Sequence, residues 1–482
     1  VYDRAVTTIR RTRAHALFVA CALATTSAGC GSSEEPHDPP PATTTSEAPP
    51  TTSEAPPTTR ETPPPTTSET PPTTSDPGAD DPLADLAAPI ADDEVLDAHP
   101  SALAHPELAA GVCQEVAEAP VRVLPRASAM SIVATRDRFY LAGYEPLDGG
   151  REQVSIVELV AGQAPRLVVT IPLESAAATA RTAPPGLALV GAAGSEADEL
   201  GVAWIEGSGA VRAAFFEPSR PSAQPIALSL ADADRRFAPA IARVGPHRVI
   251  AATIAIPENV TEGEAPRTAM RMHLERLGPT GERLGQHDVS PRAGSGSHPL
   301  FAPGPSGRPD LFFVDARVAL SVIHRVAFDA ESVPGETTVA RPINLSAEPP
   351  SIAVVRVGGR ELAAYAAVGN MATRAVGIVE IGGTDSPDPL VAGLGYGQPL
   401  TLRGVSRTTD AVFASEAPSA VSADAPHEVR VRTVRVNESG ARVLGEPLVF
   451  SGATRPALAI DGDGAIAVAL EGGLVRFVRC GE

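Results

Sequence analysis

From Val121 to the C-terminus the apolar residues come in short, alternating, β-branched runs. Examples are RFYLAGY, QVSIVELV, RLVVTIPL, MRMHLERL and EVRVRTVRV. Gly, Pro, Asp and Asn stand between the runs, which is the pattern of strands joined by tight turns. No ten-residue amphipathic helix interrupts them, so the pattern predicts an all-β region.

One unit recurs through it: a Pro, an alternating strand, a turn, then a more hydrophobic strand ending in small residues. It reads PGLALVG from Pro185, PAIARVGPHRVIAA from Pro239, PLFAPGPSGRPDLFFV from Pro299 and PSIAVVRVGGRELAAYA from Pro350. It returns as PLTLRGVSRTTDAVFA from Pro399 and PALAIDGDGAIAVAL from Pro456, and a copy without the Pro opens the region at Ser128. Successive starts are 57, 54, 60, 51, 49 and 57 residues apart. Most units have room for two further strands, shown plainly in the third around the Gly-Pro-Thr-Gly turn at 278–281. Four antiparallel strands at this period predict a closed β-propeller of seven blades, give or take one. A string of Ig-like sandwiches is the rival, but each would need about 100 residues.

The last unit has three strands, ALAID, AIAVALE and LVRFVR, before the sequence ends. The segment VRVL at 121–124 is spare, and it is expected to complete the last blade by pairing with 474–479. Four cysteines occur: Cys21, Cys30, Cys113 and Cys480. Cys21 lies in the apolar stretch near the N-terminus and Cys30 just after it. Cys113 and Cys480 therefore remain as one pair at the two ends of the β region. In an oxidising compartment such a pair reads as a disulfide across the seam, with two buried free thiols as the alternative.

Upstream the pattern changes. Arg10, Arg11 and Arg13 precede AHALFVACALA, an apolar run of signal-peptide length that is too short to span a bilayer. Thr25–Thr26–Ser27–Ala28–Gly29–Cys30 follows. The small residues before the cysteine resemble the lipobox of bacterial lipoproteins, with Ser27 where that family commonly has Leu. The resemblance implies a diacylglyceryl group on Cys30, cleavage before it, and an outer-membrane lipoprotein of the cell envelope, since Gly31 rather than Asp comes next. The alternative is an ordinary signal-peptidase site with Cys30 left as a thiol.

Residues 36 to about 82 repeat TTSEAPP-like units without a large apolar residue until Leu83, so they cannot bury a core. Some 45 such residues could reach on the order of 140 Å fully extended. The expected organisation is thus a signal peptide at 1–29, a lipidated Cys30 with a disordered tether over 30–82, a partly helical lead-in over 83–112, and the propeller over 113–482.

Composition narrows the function. The formal charge is −19; residues 1–29 carry a net of +3, so the remainder carries −22. Such a surface repels nucleic acid, and no nucleic-acid partner is expected. The chain contains no lysine, which excludes Schiff-base chemistry, a P-loop lysine and Ser-x-x-Lys catalysis. Gly-x-Ser-x-Gly, His-Glu-x-x-His and Gly-x-Gly-x-x-Gly are missing, as is zinc spacing of Cys and His. No cofactor or metal is expected. Asp461–Gly462–Asp463–Gly464 fits a hairpin turn better than a calcium loop, because it lacks the distal Glu.

His247, His273, His287, His298, His324 and His427 are scattered roughly one per unit, and each reads as a turn or strand-surface residue unless they converge at the axis. Arg235–Arg236–Phe237 is a weak anion-clamp candidate against the blander reading of two surface arginines. Asn259, Asn344 and Asn437 begin Asn-x-Ser/Thr triplets, which mean little in a bacterial lipoprotein. Trp204 is the only tryptophan, so the aromatic platforms that sugar sites use are scarce. Two classes of function remain. One is a monomeric binding or scaffold module, anchored to a membrane, for an unknown protein or small molecule. The other is a hydrolase or lyase with residues converging on the central channel from different blades.

Overall fold

In the computed structural model the repeat units fold as antiparallel sheets, and seven of these make a β-propeller. The structure describes residues 108–481, leaving aside 117–119, 161–162, 175–182, 192–198, 222–223, 259–266, 291–295, 318–319, 344–350, 369–373, 383–387, 395–401, 419–425 and 438–439. The signal peptide, Cys30, the tether and most of the lead-in fall outside these residues, as do Asn259, Asn344 and the side chain of Asn437.

Blade 3 shows the unit: strands Ala240–Val244, His247–Glu258, Arg267–Leu277 and Arg283–Asp288, paired in sequence order from the axis outward. The innermost strands of the other blades are Met130–Ala134, Gly186–Leu189, Gly296–Pro303, Ile352–Val357, Leu402–Ser406 and Ala457–Ile460. Each innermost strand touches that of the next blade, and the seventh touches the first. The Gly-Pro-Thr-Gly turn is present, closed by Gly281 N–H to the Gly278 carbonyl at 3.0 Å.

Every sheet is sandwiched between two others, which explains why the second strands lack clean alternation. Leu200–Ile205 and Ile466–Leu470 are buried at every position. The core is correspondingly divided into seven apolar clusters, each lying between consecutive blades. The cluster between blades 7 and 1 joins Val475 and Phe477 to Leu141 and Phe139, with the two phenyl centroids 5.9 Å apart. Burial of that kind is the main favourable term in such a fold.

The seam closes with the chain's own ends, by more pairing than the sequence suggests. Val121–Arg122 pairs with Val475 and Leu474, as expected, but Val123 and Leu124 leave the ladder. Pro125 lies next, and it restricts the residue before it; Val123 N–H instead reaches the Gly473 carbonyl at 2.9 Å. A second piece, Cys113–Glu115, pairs with Cys480, Arg479 and Val478. Cys113 and Cys480 stand directly opposite one another and form a disulfide. The lead-in also contributes, because Ala110 bridges Gly481.

On the face where the innermost strands end, arginines staple neighbouring blades. Arg243 donates to the Val190 carbonyl at 3.2 Å, and Arg356 donates to the Gly304 carbonyl. Arg407 reaches the carbonyls of Cys480 and Gly481 at 2.6 and 3.1 Å while paired with the fully buried Asp410 at 2.6 Å.

Candidate functional site at the channel mouth

The innermost strands open on small or apolar residues: Met130, Gly186, Ala240, Gly296, Ile352, Leu402 and Ala457. Gly186 is required there, because a Cβ would strike the Pro239 carbonyl of the next blade. Against this bland ring two polar side chains stand out, His298 of blade 4 and Arg403 of blade 6.

His298 is placed by a β-bulge. Ser297 faces Val314 and Leu300 faces Phe312, so His298 and Pro299 together oppose Phe313. The Pro contributes no N–H to the ladder. His298 takes a left-handed conformation, φ 55°, which a non-glycine residue adopts at a cost and which clusters at functional positions. A bulge re-aims side chains near a sheet end, and here it directs the imidazole toward Phe237.

The Phe237 ring meets the imidazole edge-on, centroids 4.8 Å apart. It is held by a turn that the Asp-x-x-Phe lead-in of blade 3 builds for itself. Asp234 N–H donates to Thr253 O at 2.8 Å, Phe237 N–H to Asp234 O at 3.1 Å, and Arg236 N–H to Asp234 Oδ1 at 2.9 Å. The Arg236 guanidinium pairs with Asp234 at 2.7 Å and lies 5.6 Å from the Phe237 centroid. Arg235 Nη1 is buried with no hydrogen-bond partner.

Electrostatics join blade 6 to this group. Burial, and then the Arg403 guanidinium, push the His298 imidazole down to about 3. Burial also pushes Arg403 down from its ordinary range. The two residues belong to the innermost strands of blades 4 and 6, and the Arg403 charge acts on the imidazole. The imidazole is therefore neutral at physiological pH, beside cations.

The carboxylates of this face do other work. Glu206 is buried and accepts from Trp204 Nε1 at 2.8 Å and from Glu174 N–H at 3.0 Å. Glu416 takes His427 Nδ1 at 2.7 Å and Arg455 N–H at 3.0 Å. Glu145 lies 3.5 Å from Gln153 Nε2. Asp315 lies 3.6 Å from His324 Nε2. Glu206 and Glu416 fasten the lead-in of a blade to a second strand.

The six histidines do not converge. His247 contacts Glu331 O and Ser332 Oγ at 3.0 and 3.2 Å, His273 sits 3.7 Å from Asp288, and His287 is partly exposed on an outer strand. His324 departs from the strand-surface expectation: it is buried and stacks on Phe313 at 5.2 Å, because its strand is covered on both faces. His298 departs from it too, lying in an innermost strand. Trp204 is buried and turned to Glu206, so it offers no exposed platform. Asp461 makes a hairpin, Oδ1 accepting from Asp463 and Ala465 N–H at 3.0 and 2.9 Å. Among the described residues no three His, Cys, Asp or Glu are grouped to hold a metal.

The Arg235–Arg236–Phe237 motif was visible in the sequence, whereas its partners were not. His298 carried one faint signal, as the His that directly precedes the unit-opening Pro299, and Arg403 carried none.

No protein-family model matches the chain, and no curated protein matches it. Solved structures similar to it include AofleA from Arthrobotrys oligospora, at 9% identity, covering 73% of this chain and 93% of that one, TM-score 0.40. A lectin from Aleuria aurantia, described as a six-bladed β-propeller, is 11% identical over 73% and 92% of the two chains, TM-score 0.37. The NanB sialidase from Streptococcus pneumoniae is 9% identical over 75% and 70%, TM-score 0.40. At these values the likeness carries no argument about ligand or activity.

Proposed function

We propose that this chain is an exported bacterial lipoprotein of the cell envelope, anchored through lipid on Cys30, whose propeller is a binding module with its ligand site at the channel mouth. The observation that carries the site is the bulged, left-handed His298, held against Phe237 and acted on by Arg403 at the end of an otherwise small and apolar channel. Strain of this kind persists where the surroundings over-determine it. The binding reading is favoured over hydrolysis, because Glu206 and Glu416 at this face are engaged in joining strands and lead-ins. A hydrolase of the two-carboxylate kind needs a facing pair.

Two arms test this. Expression of the full chain in a bacterial host with labelled palmitate should give a labelled, membrane-associated protein, and Cys30→Ala should abolish the label. An unlabelled wild type would remove the anchor. For the site, the full chain is screened by thermal shift against a small-molecule panel beside Phe237→Ala. Ligands that stabilise the wild type should lose their effect in the variant, and undiminished stabilisation would place binding elsewhere.

A further inference from the structure

The two outer strands of blade 3, Arg267–Leu277 and Arg283–Asp288, carry a second group of polar side chains, away from the mouth. Across these strands Leu274 stands opposite His287, and Arg276 stands opposite Gly285. Residues opposite one another, or two apart on one strand, share a face of the sheet. Leu274 belongs to the apolar cluster between blades 3 and 4, so Arg276, Gly285 and His287 look toward blade 4. Asp288, next in the chain, looks the other way and pairs with Arg271 at 3.0 Å.

The Arg276 guanidinium is held by one nitrogen. Its Nη1 donates to the Glu331 carbonyl of blade 4 at 2.8 Å, and His247 Nδ1 meets the same oxygen at 3.0 Å. The hairpin fixes that carbonyl, because Asp329 Oδ1 accepts from Glu331 and Val333 N–H at 2.9 and 2.8 Å. The other edge of the guanidinium, Nε with Nη2, is the pair of parallel donors that forks onto a carboxylate or phosphate. Arg276 Nε and His287 Nε2 are both buried without a hydrogen-bond partner. Among the described residues no carboxylate pairs with Arg276. Buried donors left unmatched cost free energy, and native structures keep few of them. Gly285 lets the two side chains come together. His287 Nε2 lies 3.3 Å, Arg276 Nη2 3.6 Å and Arg276 Nε 4.0 Å from the place a Cβ would take there. Burial, and then the Arg276 charge, push the His287 imidazole below its ordinary range, as expected beside a cation that no carboxylate offsets.

We infer that Arg276 and His287, gathered over Gly285, form a binding site for an oxyanion group: a carboxylate, phosphate or sulfate. The free edge of the guanidinium takes two oxygens. The neutral imidazole, with its proton on Nε2, donates a third bond. The site is separate from the mouth and goes beyond the binding reading given for it, so the failure of either leaves the other standing.

The test uses the full chain with isotope-labelled histidine, the His287 signal being assigned through His287→Gln. Acetate, phosphate and sulfate are titrated at matched ionic strength against chloride, with acetamide as the neutral counterpart of acetate. At least one oxyanion should move the His287 signal saturably, and acetamide should not. Acetate ahead of phosphate and sulfate marks a carboxylate site, and the reverse order a phosphate or sulfate site. Arg276→Met should weaken the response by about tenfold or more. Gly285→Ala keeps both side chains but sets a methyl group where their nitrogens converge, and it should weaken the response as well. Arg276→Lys, which keeps the charge without the fork, should fall between wild type and Arg276→Met. Arg283→Met removes a cation of the same strand that pairs with Glu275 on the opposite face, and it should leave the response unchanged. Thermal midpoints and the other histidine signals report whether each variant is folded.

If no oxyanion moves His287 in folded wild type, or if acetamide moves it as strongly as acetate, the inference falls. An oxyanion response that survives Arg276→Met in folded protein also overturns it.

Discussion

Removing the Cys113–Cys480 bridge tests how the ring is held shut. The two cysteines are 367 residues apart in sequence. The chain-entropy relation for a closed loop of that length gives about 20 cal/mol/K, or about 6 kcal/mol at 25 °C, as the upper bound on what the bridge contributes. The seam keeps its apolar cluster and the Arg407 bonds to the Cys480 and Gly481 carbonyls without the bridge, so the ring should still form. For roughly 370 residues the unfolding entropy near 60 °C is about 0.8 kcal/mol/K, so the loss converts to a drop of at most about 8 °C in midpoint. The assay is thermal unfolding of the full chain by far-ultraviolet circular dichroism, comparing wild type with Cys113→Ala/Cys480→Ala, each with and without reductant. Reduced wild type should coincide with the variant, several degrees below oxidised wild type, with the same β spectrum at 20 °C. An unchanged midpoint would refute the loop-closure argument. A variant without β structure would refute the claim that inter-blade burial carries the fold.

Further outcomes follow from single sites. His298 titrates near 3 when folded against about 6.5 unfolded, so its contribution is complete above pH 6.5 and is lost as pH falls toward 3. Between pH 7 and 4.5 the loss is on the order of 2–3 kcal/mol, and urea midpoints at the two pH values should differ less in His298→Asn than in wild type. Asp410→Ala leaves the Arg407 guanidinium buried without its carboxylate and should cost about 3–5 kcal/mol in urea unfolding. Gly186→Ala places a methyl group against the Pro239 carbonyl and should cost about 1–3 kcal/mol in the same assay.

The repeat was legible because a propeller blade leaves a mark in one dimension: a Pro-led inner strand, a tight turn and a fully buried second strand recur at nearly constant spacing. The seam was legible for a similar reason, since a three-stranded last unit demands a donor and the cysteines flank it. The extra pairing at Cys113–Glu115 was hidden because Cys-Gln-Glu has no apolar alternation to announce a strand. The mouth was hidden for a deeper reason. Phe237 and His298 come from different blades, and only the closed ring brings them together. His298 also owes its direction to a bulge, which shifts register and so defeats the alternation on which strand reading depends. His324 was misjudged because a sheet covered on both faces has no solvent side.

The claim that the mouth is the binding site is tested most directly by native mass spectrometry of the full chain, purified from bacterial membranes under mild conditions, beside Phe237→Ala and Arg403→Met prepared identically. The account predicts a small-molecule adduct on the wild type that is absent or strongly depleted in both folded variants, and whose mass identifies the ligand. An adduct equally abundant in all three proteins would contradict it, because binding would then lie away from His298, Phe237 and Arg403.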